Sequence, residues 1–559
     1  MFLPMTLSEA RRLGWKALDV IIVTGDAYVD SPHVGAALVG KALVRAGFRV
    51  GVIAQPDLRG PEDVTRLGEP EIYWGVTAGC TDSLVANYTA SGRRRRSDDF
   101  SPGGRNERRP DRAAIVYANL IRRHCPGRRP IVLGGVEASL RRVSHYDFLS
   151  GSIRRPVLFD AKADVLVYGM GEAAAVALAR RMGAGGDFRD IPGIAYAAQD
   201  MPQGFLELPS HAEAAADESA FARLFSIFHK NCGPEGGAGL CQKVDTRYLV
   251  VNPPPPAASP DEWYEAGFER AAHPLHAARG PVKAVDTIRL SIATHRGCFG
   301  GCRFCAIALH EGRAVASRSP ASILAEAESL AGRKGFPGRI TDIGGPTANM
   351  YGMGCKKKPG ARCGRESCLY PSPCRNLDPS HAPLMALYED ILGLPRMKAV
   401  TVGSGVRHDL VMADRAHGRD YIAALAARHV SGQLKVAPEH SEKEVLSLMG
   451  KPGPESLIEF SRLFSEYSQR CGKRQFLTHY FLAAHPGCTL RHMERLSAFC
   501  RERLLVRPRQ VQIFTPTPST WSTLMFATGR DQNGEEIFVE RTAKGREAQK
   551  EALTGREPR

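Results

Sequence analysis

Residues 291–307 read SIATHRGCFGGCRFCAI, a short apolar run followed by three thiols, Cys298, Cys302 and Cys305, in the spacing CxxxCxxC. The glycines at 297, 300 and 301 let such a loop wrap a compact object while its amides come close. Three thiolates are one short of the four that close an ordinary 4Fe-4S site, so one iron stays open and can chelate a small molecule. The competing reading is a structural zinc site with His295 or His310 as fourth ligand. Zinc knuckles favour paired CxxC arms, which this loop lacks.

Toward the C-terminus, β-like runs recur at 287–292, 339–343, 398–402, 433–437, 476–482 and 510–514, most of them separated by helical patterns with start signals such as Ser319-Pro320. Six βα units make a partial barrel, an architecture whose chemistry collects in loops at the C-terminal strand ends. The unusual residues fall there. Gly344 and Gly345 follow the second run and let backbone groups approach a ligand. Ser404 and Arg407 follow the third and offer a hydroxyl and a guanidinium suited to a ribose and a carboxylate. Glu439, in KVAPEH, ends the fourth. Cys355, Cys363, Cys368 and Cys374 form a second group after the second run. Four thiolates so close in sequence could close a tetrathiolate zinc site or a second Fe-S cluster.

Toward the N-terminus, the runs at 20–24, 49–53, 72–77, 130–133 and 164–168 alternate with helical patterns at 33–46 and 112–124. That alternation predicts an α/β domain, a doubly wound, Rossmann-like parallel layer over residues 1–250. Residues 93–129 carry 12 Arg against four acids, and 93–112 reads as a mobile basic loop able to neutralise phosphates. VNPPPPAASP (251–260) reads as a stiff spacer. The expected organisation is therefore a linker over 251–283, a barrel over 284–520 with a cysteine-rich insertion at 355–374, and a polar extension over 521–559 that is frayed from residue 530.

The chain has 559 residues, 43% of them hydrophobic, and a net charge of +16. It is too long for one core and too apolar for general disorder. No apolar run reaches the length of a membrane span, and the first residues lack a secretory pattern, so a cytoplasmic location is expected. Seven of the 14 cysteines lie between Cys298 and Cys374, which in a reducing compartment points to metal ligation rather than disulfides.

The CxxxCxxC loop after a first barrel strand resembles that of radical S-adenosylmethionine (SAM) enzymes. The chain is similar along nearly its whole length to YgiQ-type radical SAM proteins, through GGVEASLRRVSHYDF (134–148), KADVLVYGMGE (162–172), SIATHRGCFGGCRFCAI (291–307), DIGGPTANMYGMGC (342–355), YFLAAHPG (480–487) and FTPTPST (514–520). The resemblance implies a 4Fe-4S cluster on Cys298, Cys302 and Cys305, SAM as co-substrate, an electron donor such as flavodoxin or ferredoxin, and an N-terminal domain like cobalamin-binding modules. It fixes neither a substrate nor catalytic side chains. RNA modification and cobalamin-linked chemistry are the two expectations. The alternative from another class is a metal-stabilised nucleic-acid-binding protein without catalysis. Two departures stand out. Pro346 follows the glycine pair where an acid is common in the family, and DSPHVG (30–35) departs from the DxHxxG spacing that supplies a cobalamin-binding histidine.

Overall fold

The computed structural model describes residues 1–233, 237–256, 258–357 and 363–555. Strands β1 (Val20–Thr24), β2 (Val50–Ala54), β3 (Tyr73–Thr77), β4 (Ile131–Gly134) and β5 (Val165–Val167) pair in parallel. With β6 (Ile194–Ala198), β7 (Leu206–Leu208), β8 (Leu240–Val244) and β9 (Arg247–Val251) they form a nine-stranded sheet of order β2-β1-β3-β4-β5-β6-β9-β8-β7. The unbroken apolar reading of VIIVT is that of a strand buried on both faces. Ile21 and Val23 belong to the buried cluster on one face, with the helix Ala113–His124, while Val20 and Ile22 belong to that on the other, with Gly35–Arg45 and Glu172–Gly183. The fold class is thus a doubly wound α/β layer. Its strand order reverses at β1, where such sheets open a ligand crevice.

The second half curls through β10 (Ser291–Ala293), β11 (Arg339–Ile340) continued by β12 (Asp342–Gly344), β13 (Ala399–Val400), β14 (Gln433–Glu439), β15 (Phe476–Ala483) and β16 (Val511–Ile513). β10 pairs with β12, β11 with β13, Val406 bridges Val436, and β14, β15 and β16 run side by side, all in parallel. Ser319 caps the helix Pro320–Gly332 by accepting from Ser322 N.

Four sequence expectations need correction. Residues 284–288 form a helix, so the first barrel strand starts at Ser291 rather than 287. The segment after the prolines is not a free spacer. Ala272 bridges Val29, Lys41 Nζ donates to Gly267 O at 2.8 Å, and Arg296 Nε donates to Tyr264 Oη at 3.0 Å, so residues 261–283 cement both halves. The basic loop has a buried anchor. Arg93–Arg96 are exposed, whereas Arg109 is 1% exposed and ion-paired to Asp26 and, at 3.0 Å, to Asp98. The tail is docked over its described residues, which end at 555. The helix Ala543–Thr554 buries Gln549 and Leu553, with Gln549 Oε1 accepting from Ala484 N at 2.9 Å and Gln549 Nε2 donating to Cys488 O at 2.8 Å. Its polar composition hid two buried residues that suffice to dock a short helix. Among the described residues no helix is long and apolar enough to cross a membrane.

Candidate active site between sheet and barrel

The cluster loop leaves β10 and is held from both sides. Cys298 N donates to Gly312 O at 3.1 Å and Arg303 N to Met449 O at 2.9 Å. A side chain at Gly301 would meet Glu366 O at 2.5 Å and Ser367 Cβ at 2.7 Å, so the close approach requires glycine, which also takes φ +62° there. Burial pushes the thiols of Cys298 and Cys305 up to about 11 and 12, with the neighbouring cysteines adding to the rise. Three half-buried sulfurs in mutual electrostatic reach are a poor arrangement for free thiolates and a suitable one for a cationic cluster. The donor set fits a 4Fe-4S group with one open iron.

Two members of the second cysteine group lie together, with Cys374 N donating to Cys368 O at 2.8 Å. Cys355 is exposed and Cys363, Cys368 and Cys374 are half-buried. Among the described residues no group of three His, Cys, Asp or Glu side chains is placed to hold one metal ion. The insertion instead clamps the cluster loop. Cys368 N donates to Phe299 O at 3.0 Å and Ser367 Oγ to Gly300 O at 2.7 Å.

Gly344 and Gly345 lie beside this loop. A Cβ on Gly345 would stand 2.6 Å from both the carbonyl oxygen and Nε2 of His295. That Nε2 is buried without a hydrogen-bond partner, while Nδ1 and Thr294 Oγ1 are bonded at 2.9 Å. The missing acid after Gly345 has a counterpart before it. Asp342 Oδ1 accepts from Gly403 N, Ser404 N and Ser404 Oγ at 2.8, 2.9 and 3.0 Å. Ser404 therefore braces Asp342, and its hydroxyl donor is already used. An acid at a C-terminal strand end was the signal that the sequence reading passed over. Arg407 also departs from expectation, for its guanidinium points at Cys302 and Asp409. Glu439 adopts φ +69°, and burial raises its carboxyl despite Lys451 at 3.7 Å. Ala484 and Ser519, past the next two strands, share such a positive φ.

One cavity of about 470 Å³ joins this rim to the N-terminal sheet. Gly344, Gly345, Asp342, His295 and His310 wall it on the barrel side; Gly134, Gly135, Gly169 and Gly171 wall it past β4 and β5. A deep arm continues between the sheet (Val20, Ile22, Tyr73, Gly75) and the helix Gly35–Arg45 (Ala36, Val39, Leu43). The two sides are locked together. His310 Nδ1 and Ser139 Oγ are bonded at 2.9 Å, Arg296 pairs with Glu172 at 2.9 Å, and Ser519 Oγ donates to Leu140 O at 2.7 Å.

With this arrangement in view, the comparisons are direct. The family described as Radical SAM N-terminal matches residues 2–291. A UPF0313 protein of Fusobacterium nucleatum is 47% identical over 99% of this chain and 98% of its own length, and one of Thermotoga maritima is 46% identical over the full length of both. The chain belongs to the UPF0313 family of radical SAM proteins. Among solved structures, this UPF0313 fold is similar to the radical SAM methyltransferase TsrM from Kitasatospora setae with cobalamin and a 4Fe-4S cluster bound, at TM-score 0.51 and 16% identity over 92% of this chain and 79% of that one. It is also similar to the cobalamin-dependent SAM radical enzyme OxsB, at TM-score 0.50 and 12% identity over 91% of this chain and 55% of that one. At such identities the likeness is one of fold.

Residues 30–35 of the UPF0313 chain, whose spacing departs from DxHxxG, lie beside this cavity. Asp30 is committed elsewhere, accepting from Tyr28 Oη at 3.0 Å and Glu269 N at 2.9 Å and pairing with Lys41 at 3.1 Å. It cannot orient a ligating imidazole. His33 does wall the cavity, and burial, with Arg270 and Arg318 behind it, lowers its pKa to about 3. The ring enters the cavity uncharged. His440, His479 and His485 lie away from it. His440 Nδ1 accepts from Glu442 N at 3.0 Å and His485 Nε2 is bonded to Ser522 Oγ at 2.7 Å, while His479 stacks on Phe481.

Proposed function

We propose that this chain is a radical SAM enzyme that works with cobalamin, the two cofactors meeting across the cavity between barrel and sheet. The observation that carries the reading is the cavity itself, in which the Gly344-Gly345 rim faces the glycine-lined ends of β4 and β5. When bound, a reduced 4Fe-4S cluster supplies the electron that cleaves SAM to a 5'-deoxyadenosyl radical, and cobalamin supplies methyl-transfer or rearrangement chemistry. The protein's own share is placement. Cys298, Cys302 and Cys305 would hold the cluster, and the bare backbone of Gly344-Gly345 would let a methionyl group lie flat. Asp342 is held with one carboxylate oxygen on the Gly403-Ser404 turn and faces the cavity. His295 and His310 are both lowered to about 4 by burial, so they stand uncharged beside the reacting space and leave any cationic ligand free of repulsion.

The exposed Arg93–Arg96 run supports RNA as the substrate class, through phosphate neutralisation. Iron chemistry of this kind also requires a one-electron donor, for which a flavodoxin or ferredoxin is the natural class. The test is anaerobic reconstitution, with iron, cobalamin and SAM cleavage measured together. The expected result is about four irons per chain, one tightly held corrinoid, and 5'-deoxyadenosine formed on reduction. A fully loaded, reduced protein that forms none would overturn the reading.

A further inference from the structure

Arg407 occupies the outer side of the cluster loop in a way that its expected role as a carboxylate clamp does not explain. Its Nη1 donates to Cys302 Sγ at 3.2 Å. The opposite edge of the guanidinium is taken by Asp409, with Nε donating to Oδ1 at 3.1 Å and Nη2 to Oδ2, a bidentate pair in which both side chains are about nine-tenths buried. The backbone is fixed as well. Arg407 N donates to Asn349 Oδ1 at 2.8 Å, and Asn349 Nδ2 donates back to Arg407 O at 3.2 Å. The guanidinium reaches the sulfur through a window left by Gly300, where a Cβ would overlap Arg407 Nη1 and crowd Cys298 Sγ at 3.3 Å. Asp409, Asn349 and Gly300 thus cooperate to aim one cationic donor at one cysteine sulfur, and none of the three walls the cavity.

We infer that Arg407 is a positioning residue that sets the reduction potential of the cluster through its hydrogen bond to Cys302, with Asp409 aiming it and Gly300 opening the path. Hydrogen bonds to sulfur and local net charge are the protein's main levers on such potentials. Reduction adds one negative charge to the cluster. A fixed cation at hydrogen-bond distance from a ligating sulfur, partly withdrawn from water, favours the state with more negative charge. Asp409 offsets part of that charge, so the pair raises the potential moderately while holding the geometry rigid. The inference rests on the proposed cluster at Cys298, Cys302 and Cys305.

Its test is an anaerobic redox titration followed by electron paramagnetic resonance on wild type, R407Q and R407K, each matched for iron content. The expected result for R407Q is a lower midpoint, with the reduced-to-oxidised ratio at a fixed poise down at least tenfold, which for one electron is about 59 mV. R407K, which keeps the charge and loses the planar fork, falls between the two. If R407Q fails to hold iron, R407K against wild type carries the comparison, and a midpoint unchanged from wild type in whichever variant is loaded overturns the inference. Wild type that takes up no iron cluster refutes the underlying reading instead, so the two failures are separable.

Discussion

Gly75 offers the sharpest way to separate the cavity from the fold. It sits in the middle of β3, between the buried Trp74 and Val76, and its missing side chain opens onto the deep arm of the cavity. The atoms nearest a Cβ built there are Ile22 Cγ1 at 3.4 Å and Ile21 O and Ile22 Cα at 3.9 Å, all ordinary contacts. No positive φ demands glycine at this position. Glycine in a strand interior costs about 0.5–1 kcal/mol relative to alanine, and β-branched residues suit strands. Gly75→Val is therefore expected to leave the fold as stable as wild type or to stabilise it by about that amount. The valine methyls project into the arm, whose floor is closed by the Tyr73 hydroxyl donating to Ala175 O at 3.1 Å. A ligand tail seated there is overpacked, at about 1–3 kcal/mol, which is roughly a 5- to 140-fold loss of affinity. Thermal unfolding and a cobalamin titration on the same preparations give both numbers. Undiminished corrinoid affinity in a folded Gly75→Val protein would refute the assignment of this arm, and a collapse of stability would refute the steric reasoning.

Cys302→Ala should lower iron content and abolish 5'-deoxyadenosine formation while the N-terminal sheet still binds cobalamin, as iron analysis and corrinoid absorbance on one sample would show. Gly345→Ala places a Cβ 2.6 Å from the His295 carbonyl. Its cluster spectrum should be that of wild type, and its SAM affinity should fall by at least tenfold, measured by the spectral response of the cluster to SAM. The pH dependence follows from His33, His295 and His310, lowered to about 3, 4 and 4. Below the ordinary histidine value of about 6.5 the unfolded chain binds protons that the folded one refuses. Stability present above pH 6.5 is lost as pH falls toward 4. Denaturant midpoints should drop across that window and drop less in His310→Gln; a flat profile there contradicts the neutral-histidine picture.

The cysteine spacing and the strand pattern made much of this protein legible in one dimension. CxxxCxxC states its chemistry by itself because three ligands in one short loop need no tertiary help to meet. Both-face apolar strands such as VIIVT announce a covered parallel sheet for the same local reason. Local signals mislead where partners are remote. The segment from residue 530 read as a frayed tail because its docking groups, among them Gln549, Leu553 and Arg546, meet partners remote in sequence, and 93–112 read as a free basic loop because one of the two carboxylates that neutralise Arg109, Asp26, lies far away in sequence. Arg407 illustrates the limit most clearly. Its sequence neighbours suggest a ligand clamp, yet its contacts turn it toward Cys302.

Sequence alone therefore determined the family, the two α/β halves and the three sulfurs, since each is written in residues close together along the chain. Only the tertiary structure decided that the halves enclose one cavity, that Asp342 walls it while accepting from the Gly403-Ser404 turn, that Asp30 is held by Tyr28, Lys41 and Glu269, and that Arg407 donates to a sulfur. Each of these depends on groups far apart in sequence, whose meeting is fixed by packing rather than by spacing.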